Sequence, residues 1–88
     1  MTVKVTYTEN LQRHIDLHSI QVAEGSLTQV LSYVFQQFPN LKHYVLDDQN
    51  RLRKHVMLVV DSNIVQSDIE SVDQVKSSLH IMQALSGG

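Results

Sequence analysis

The sequence predicts an α+β domain of two layers, in which one capped helix lies across one face of a mixed sheet of four to five strands. Three observations predict it. The chain opens on alternating apolar residues, carries a single long apolar stripe at helical spacing before its midpoint, and returns to strand-type patterns in its second half. A helix with one apolar stripe needs an apolar surface to cover it, and a sheet built from the flanking strands supplies one.

Val3, Val5 and Tyr7 alternate with Lys4, Thr6 and Thr8, the period of two that marks a strand buried on one face. Asn10 to Arg13 reads as a turn. Ile15 and Leu17 then fall on odd positions and Ile20 and Val22 on even ones, so the buried face of the second strand switches near His18-Ser19, where a bulge or irregular break is expected. The short connection makes this strand the antiparallel partner of the first. Gly25 followed by Ser26-Leu27-Thr28-Gln29 reads as a helix start: Ser26 can cap the free amide of Gln29 while the Gln29 side chain reaches back. Leu27, Val30, Leu31, Val34, Phe35 and Phe38 form the stripe, and Pro39 stops the helix. Leu41, Tyr44 and Val45 read as one further helical turn, and Asp47-Asp48-Gln49-Asn50 supplies turn chemistry.

Val56 to Val60 is apolar on both faces, as expected of an internal strand or one whose second face meets a partner. Asp61-Ser62-Asn63 turns into a short strand at Ile64-Val65, and the polar stretch from Gln66 to Ser78 has Ile69, Val72 and Val75 as anchors. The closing strand, Leu79 to Leu85, sends Leu79, Ile81 and Leu85 toward the core and His80 and Met82 to the other side. One capped helix between two strand pairs, lying on the sheet those pairs form, is the β-grasp arrangement. The expected organisation is a β-grasp domain over residues 1–84 and a C-terminal tail over residues 85–88.

Eighty-eight residues make one domain with one modest core. A net charge of -2 and the absence of any Lys/Arg cluster larger than Arg51-Leu52-Arg53-Lys54 argue against nucleic acid as a partner. The lack of cysteine excludes disulfides and a thiol nucleophile and fits a reducing compartment. No apolar run has the length of a membrane span or the form of a signal peptide, so a cytoplasmic location and no membrane role are expected.

Phosphate-cradling loops, nucleophile elbows and zinc motifs do not occur, so no catalytic residue, metal or bound cofactor is expected in this chain. His14 and His18 stand four apart, but no helical pattern surrounds them and no third ligand is fixed by spacing, which favours solvated histidines over a metal site. Asp47 and Asp48 sit in a turn setting, and His43, His55 and His80 are isolated. A better candidate surface comes from strand parity. If the helix covers Val56, Leu58, Val60, Leu79 and Ile81, then Met57, Val59, His80 and Met82 share the open face, where an apolar patch with flexible methionines suits a binding partner.

The chain ends Leu85-Ser86-Gly87-Gly88. Two glycines give a thin, freely rotating stalk that can enter a narrow channel and present the Gly88 carboxylate to a nucleotide.

Two segments resemble the MoaD/ThiS-type sulfur carriers. Phe38-Pro39-Asn40-Leu41 through Leu46-Asp47-Asp48 and Leu52-Arg53-Lys54-His55-Val56 is similar to their aromatic-Pro-Gly-Leu, Leu-Leu-Asp and Leu-Arg-x-His-Val stretch, and Leu79 to Gly88 resembles their closing strand and Gly-Gly tail. Asn40 stands where that family often has Gly, Ser62-Asn63 where it often has Asn-Gly, Lys76-Ser77-Ser78 in place of a Gly-Asp turn, and Gln83 in place of a frequent Pro. The resemblance implies a ubiquitin-like β-grasp fold and a carrier, not an enzyme. A ubiquitin-activating-enzyme-like adenylyltransferase would use ATP to adenylate Gly88, with Leu85, Ser86 and Gly87 threading its active site. The resulting thiocarboxylate would serve a synthase such as a molybdopterin synthase large subunit or a thiazole synthase. A ubiquitin-like modifier conjugated through Gly88 and a non-covalent β-grasp interaction module are the alternatives.

Overall fold

A computed structural model describes residues 2–83 of the chain. In order along the chain lie β1 (Thr2–Tyr7), α1 (Glu9–His14), β2 (Ile20–Ala23), α2 (Leu27–Gln37), α3 (Leu41–Val45), β3 (Val56–Val60), β4 (Asn63–Val65), a 3-10 turn (Ile69–Ser71) and β5 (Ser78–Gln83). The strands form one mixed sheet in the order β2-β1-β5-β3-β4. The last strand is thus the central one, parallel to β1 and antiparallel to β3. The expected domain limit at residue 84 and the inward position of Leu85 lie outside the described residues.

Alternation decides which face of the sheet is covered. Val3, Val5 and Tyr7 of β1, Val56, Leu58 and Val60 of β3, and Leu79 and Ile81 of β5 are all buried, and they join Leu27, Val30, Leu31 and Val34 of α2 in one core. Each such side chain contributes about 1.5–3 kcal/mol relative to exposure, which is why the stripe of α2 fixes the helix to this face.

The start of α2 follows the capping box: the Gln29 amide donates to Ser26 Oγ at 3.3 Å and the Ser26 amide donates to Gln29 Oε1 at 3.1 Å. A Cβ on Gly25 would meet Gln29 Oε1 at 2.6 Å, so a side chain there would displace the returning amide of the cap. At the other end the helix stops at Gln37 with Phe38 as its cap, and Pro39 prevents continuation. The further turn expected around Leu41 and Val45 is α3, with both residues fully buried.

Two expectations from the sequence are corrected. Asn10 to Arg13 is not a turn but the body of α1. A helix this short is unstable alone, and Thr8 makes no side-chain cap to it. What holds it is Leu11, fully buried in the core, together with a hydrogen bond of 3.3 Å from Asn10 Nδ2 to Gln83 Oε1. The second strand is also shorter than its apolar pattern. It begins only at Ile20, so the parity break at His18-Ser19 ends the pairing altogether, while Leu17 reaches the core from irregular chain.

The link from β3 to β4 has two residues, Asp61 and Ser62, between the paired Val60 and Asn63. Both have positive φ, 48° and 74°, the backbone that a two-residue hairpin needs to match strand twist. Asp61 has a second task. Its Oδ2 accepts the Lys76 amide at 2.8 Å, while Oδ1 accepts the Ser77 amide at 2.8 Å, the Ser77 hydroxyl at 3.0 Å and the Ser78 amide at 3.0 Å. Burial pushes this carboxyl up, but the three amides and the hydroxyl outweigh it and bring it down to about 2. The hairpin thereby fixes the chain entering β5.

Candidate functional site

Strand register turns the parity expectation into a surface. Met57 faces Met82 and Val59 faces His80 across β3 and β5, so the four expected patch residues are two adjacent cross-strand pairs. All four are half-buried, on the face opposite α2. Val59 also faces Ile64 across β3 and β4, and His80 faces Thr6 across β5 and β1. Ile64, Val59, His80 and Thr6 therefore make one row over four strands, with the methionine pair beside it.

Ile64 is 65% exposed and is the most exposed large apolar side chain among the described residues. It was not evident in the sequence as a patch member, because its partner on β3 depends on register. Thr6 was legible from parity alone, since it alternates with Val5 and Tyr7. Its hydroxyl and His80 Nδ1 share a hydrogen bond of 2.7 Å, which fixes the imidazole at the centre of the row. Toward β2 the face becomes polar, with Lys4 opposite Gln21 and the Thr2 hydroxyl donating to Gln21 Oε1 at 3.2 Å. The apolar part of the face is thus confined to β3, β4 and β5.

The C-terminal end of β5 is held from two sides. Gln83 faces Val56 in β3, and on the other side its amide donates to Thr8 Oγ1 at 3.4 Å while its side chain accepts from Asn10. The Thr8 amide in turn donates to the Ile81 carbonyl at 3.0 Å. The unexpected helix α1 therefore brackets the last described residue. Leu85, Ser86, Gly87 and Gly88, the residues expected to carry the chemistry, lie outside the described residues.

Of the remaining histidines and of Asp47 and Asp48, some have partners within the fold and others are only exposed. The His18 ring packs edge-on against Phe38 with centroids 5.1 Å apart, and the side chain of His14 is outside what is described. Asp47 Oδ1 accepts the Gln49 amide at 2.8 Å and the Arg51 amide at 3.0 Å, closing the turn around Asn50, whose φ is 62°. Those two amides, Arg51 first, hold the Asp47 carboxyl below its usual range. Asp48 is exposed beside it. His43 offers its carbonyl to Arg53, and His55 is exposed. Among the described residues no three His, Asp or Glu side chains gather as a metal site would need, and no helix is long and apolar enough to cross a membrane.

No protein-family model matches the chain, and no curated protein matches it. Among solved structures, the crystal structure of SAMP1 from Haloferax volcanii is similar over 100% of both chains, with a TM-score of 0.78 and 14% sequence identity. A likeness at that identity establishes the fold, and the fold is the ubiquitin-like β-grasp.

Proposed function

We propose that the chain is a ubiquitin-like sulfur carrier of the MoaD/ThiS type, whose reactive group is the Gly88 carboxylate. The observation that carries the reading is the placement of Gln83. The strand that leads to the Leu-Ser-Gly-Gly ending is the central strand of the sheet, and its last described residue is gripped by Val56, Thr8 and Asn10. Five residues follow Gln83, so covalent geometry allows the terminal carboxylate to act up to roughly 17 Å from that fixed point.

A carboxylate resists attack because its charge must be lost, and adenylation overcomes this by installing a good leaving group. In the first step a Gly88 oxygen attacks the α-phosphorus of ATP and pyrophosphate departs. In the second, a hydrosulfide-equivalent donor attacks the carbonyl carbon, the bond to the AMP oxygen breaks, and AMP leaves a thiocarboxylate. An adenylyltransferase resembling ubiquitin-activating enzymes supplies the ATP site. The carrier supplies the substrate carboxylate, the narrow Gly87-Gly88 stalk with Leu85 and Ser86 at the channel entrance, and the face of Met57, Val59, His80 and Met82 for docking. A synthase that accepts sulfur, such as a molybdopterin synthase large subunit or a thiazole synthase, is the second partner.

Intact-mass measurement after incubation with the cognate adenylyltransferase, ATP and a sulfur donor tests the reading. Exchange of one oxygen for sulfur supports it. ATP-dependent conjugates of higher mass point instead to a modifier joined through Gly88, and the absence of any ATP-dependent change to a non-covalent module.

A further inference from the structure

The charges of the chain are unevenly placed. Residues 42–55 hold Lys42, Arg51, Arg53 and Lys54 against Asp47 and Asp48, a balance of +2; the whole chain carries -2, which leaves -4 for everything else. One of the two local carboxylates, Asp47, accepts the Gln49 and Arg51 amides and lies in the field of Arg51 and Arg53, so part of the positive charge is met within the segment. The positive end is therefore only partly neutralised by its own segment.

Hydrogen bonds fix where Arg53 stands and the course of the turn it opens. The Arg53 amide donates to the Val45 carbonyl at 3.0 Å and its Nε donates to the His43 carbonyl at 2.6 Å, so the side chain is tied back to α3. The Val56 amide donates to the Arg53 carbonyl at 3.0 Å, closing a turn that carries Arg53, Lys54 and His55, all exposed. That turn leads directly into Val56, and Val56 is the residue that faces Gln83. A rigid cationic turn thus flanks the place where the last described residue of β5 is held, at the edge of the Met57 and Met82 pair.

We propose that this turn is an electrostatic docking site for an acidic protein surface on the adenylating partner, bordering the channel that receives the tail. The proposal rests on the carrier reading. Charge complementarity at the rim of an apolar contact mainly raises association rate and fixes orientation, and orientation is what threading a narrow tail demands. Asp68 and Glu70 share a cleft with Arg51, so an acidic partner is directed to the Arg53-Lys54 side of the turn, and a net charge of -2 disfavours a nucleic acid there.

Two measurements test it. With the isolated protein, titration of a hexaglutamate peptide at low salt should shift the amide resonances of residues 43 and 51–55 and leave those near Lys4 and Lys76 in place. The shifts should vanish in Arg51→Glu/Lys54→Glu and collapse above roughly 0.3 M salt, where screening shortens the range of surface charges. Shifts that are absent or centred elsewhere overturn the proposal, as does tighter binding of a short single-stranded RNA to these residues. With the adenylyltransferase, the double variant should associate about tenfold more slowly at low salt, while Lys76→Glu, at the opposite end of β5, changes the rate less than twofold. Equal effects of the two variants overturn the proposal. If the wild-type chain is never adenylated, the carrier reading fails, and the peptide titration still decides whether the turn takes an acidic surface.

Discussion

One oxygen of Asp61 accepts both the amide and the hydroxyl of Ser77, at 2.8 and 3.0 Å. The two residues are far apart in sequence, and their contact ties the β3–β4 hairpin to the chain that enters β5. Because Asp61 also accepts the amides of Lys76 and Ser78, it organises the base of the central strand.

Replacing Asp61 by Asn keeps a residue that tolerates positive φ but removes the charge that these donors meet. The expected loss is about 1–2 kcal/mol after allowance for solvent screening, which lowers the melting temperature by several degrees. The pH dependence has a defined sign. The folded carboxyl titrates at about 2 and an unperturbed Asp near 3.9, so the unfolded chain binds more protons between those values. The Asp61 contribution is complete above about pH 4 and is lost as pH falls toward 2. Urea unfolding across that range should show a shallower acid limb in Asp61→Asn than in the wild type, and equal limbs would contradict the assignment.

Tyr7 is 5% exposed, and its hydroxyl has no hydrogen-bond partner among the described residues, while its ring meets Phe38 edge-on at 6.1 Å. Burial alone pushes the phenol up to about 12. Tyr7→Phe removes an unsatisfied polar atom and keeps the ring packing, so stability should be unchanged or higher by about 1 kcal/mol. A lower denaturant midpoint would show that the hydroxyl is bonded after all.

The helix α1 gives a sharper test of packing. Leu11 is fully buried, and Leu11→Ala should cost about 2–5 kcal/mol in chemical denaturation, whereas the same change in an exposed turn costs almost nothing. Asn10→Ala should have a smaller effect on stability but should speed hydrogen exchange at the Gln83 amide, since it frees one side of that residue.

What could be read from sequence followed from periodicity sustained over whole elements. The stripe of α2, its Ser26 and Gln29 cap, the parity of β5 and the two-sided apolar run of β3 each repeat one signal several times, and the β-grasp followed from their order. The helix α1 was illegible because one buried residue, Leu11, makes no period and Thr8 provides no side-chain cap. The role of Asp61 was illegible for a different reason: its partners lie in a polar stretch whose position depends on the whole sheet. The open face was half legible, since parity places Met57, Val59, His80 and Met82 together but only register adds Ile64.

The open face should matter for transfer and little for folding. Val59→Lys and Met82→Glu each place a charge in the half-buried cross-strand patch, and each should raise the apparent KM for adenylation about tenfold or more while the melting temperature falls by only a few degrees. Steady-state pyrophosphate release alongside thermal melts separates the two effects. Unchanged KM in both variants would remove this face from the docking surface.

The terminal carboxylate itself is the centre of the account, and trapping its activated form is the most direct measurement. With the cognate adenylyltransferase, ATP and hydroxylamine, an ATP-dependent hydroxamate should form at Gly88, found by mass spectrometry of the C-terminal peptide and abolished when Gly87 or Gly88 is replaced by Val. A hydroxamate on an internal side chain, or none at all from the cognate enzyme, would contradict the account.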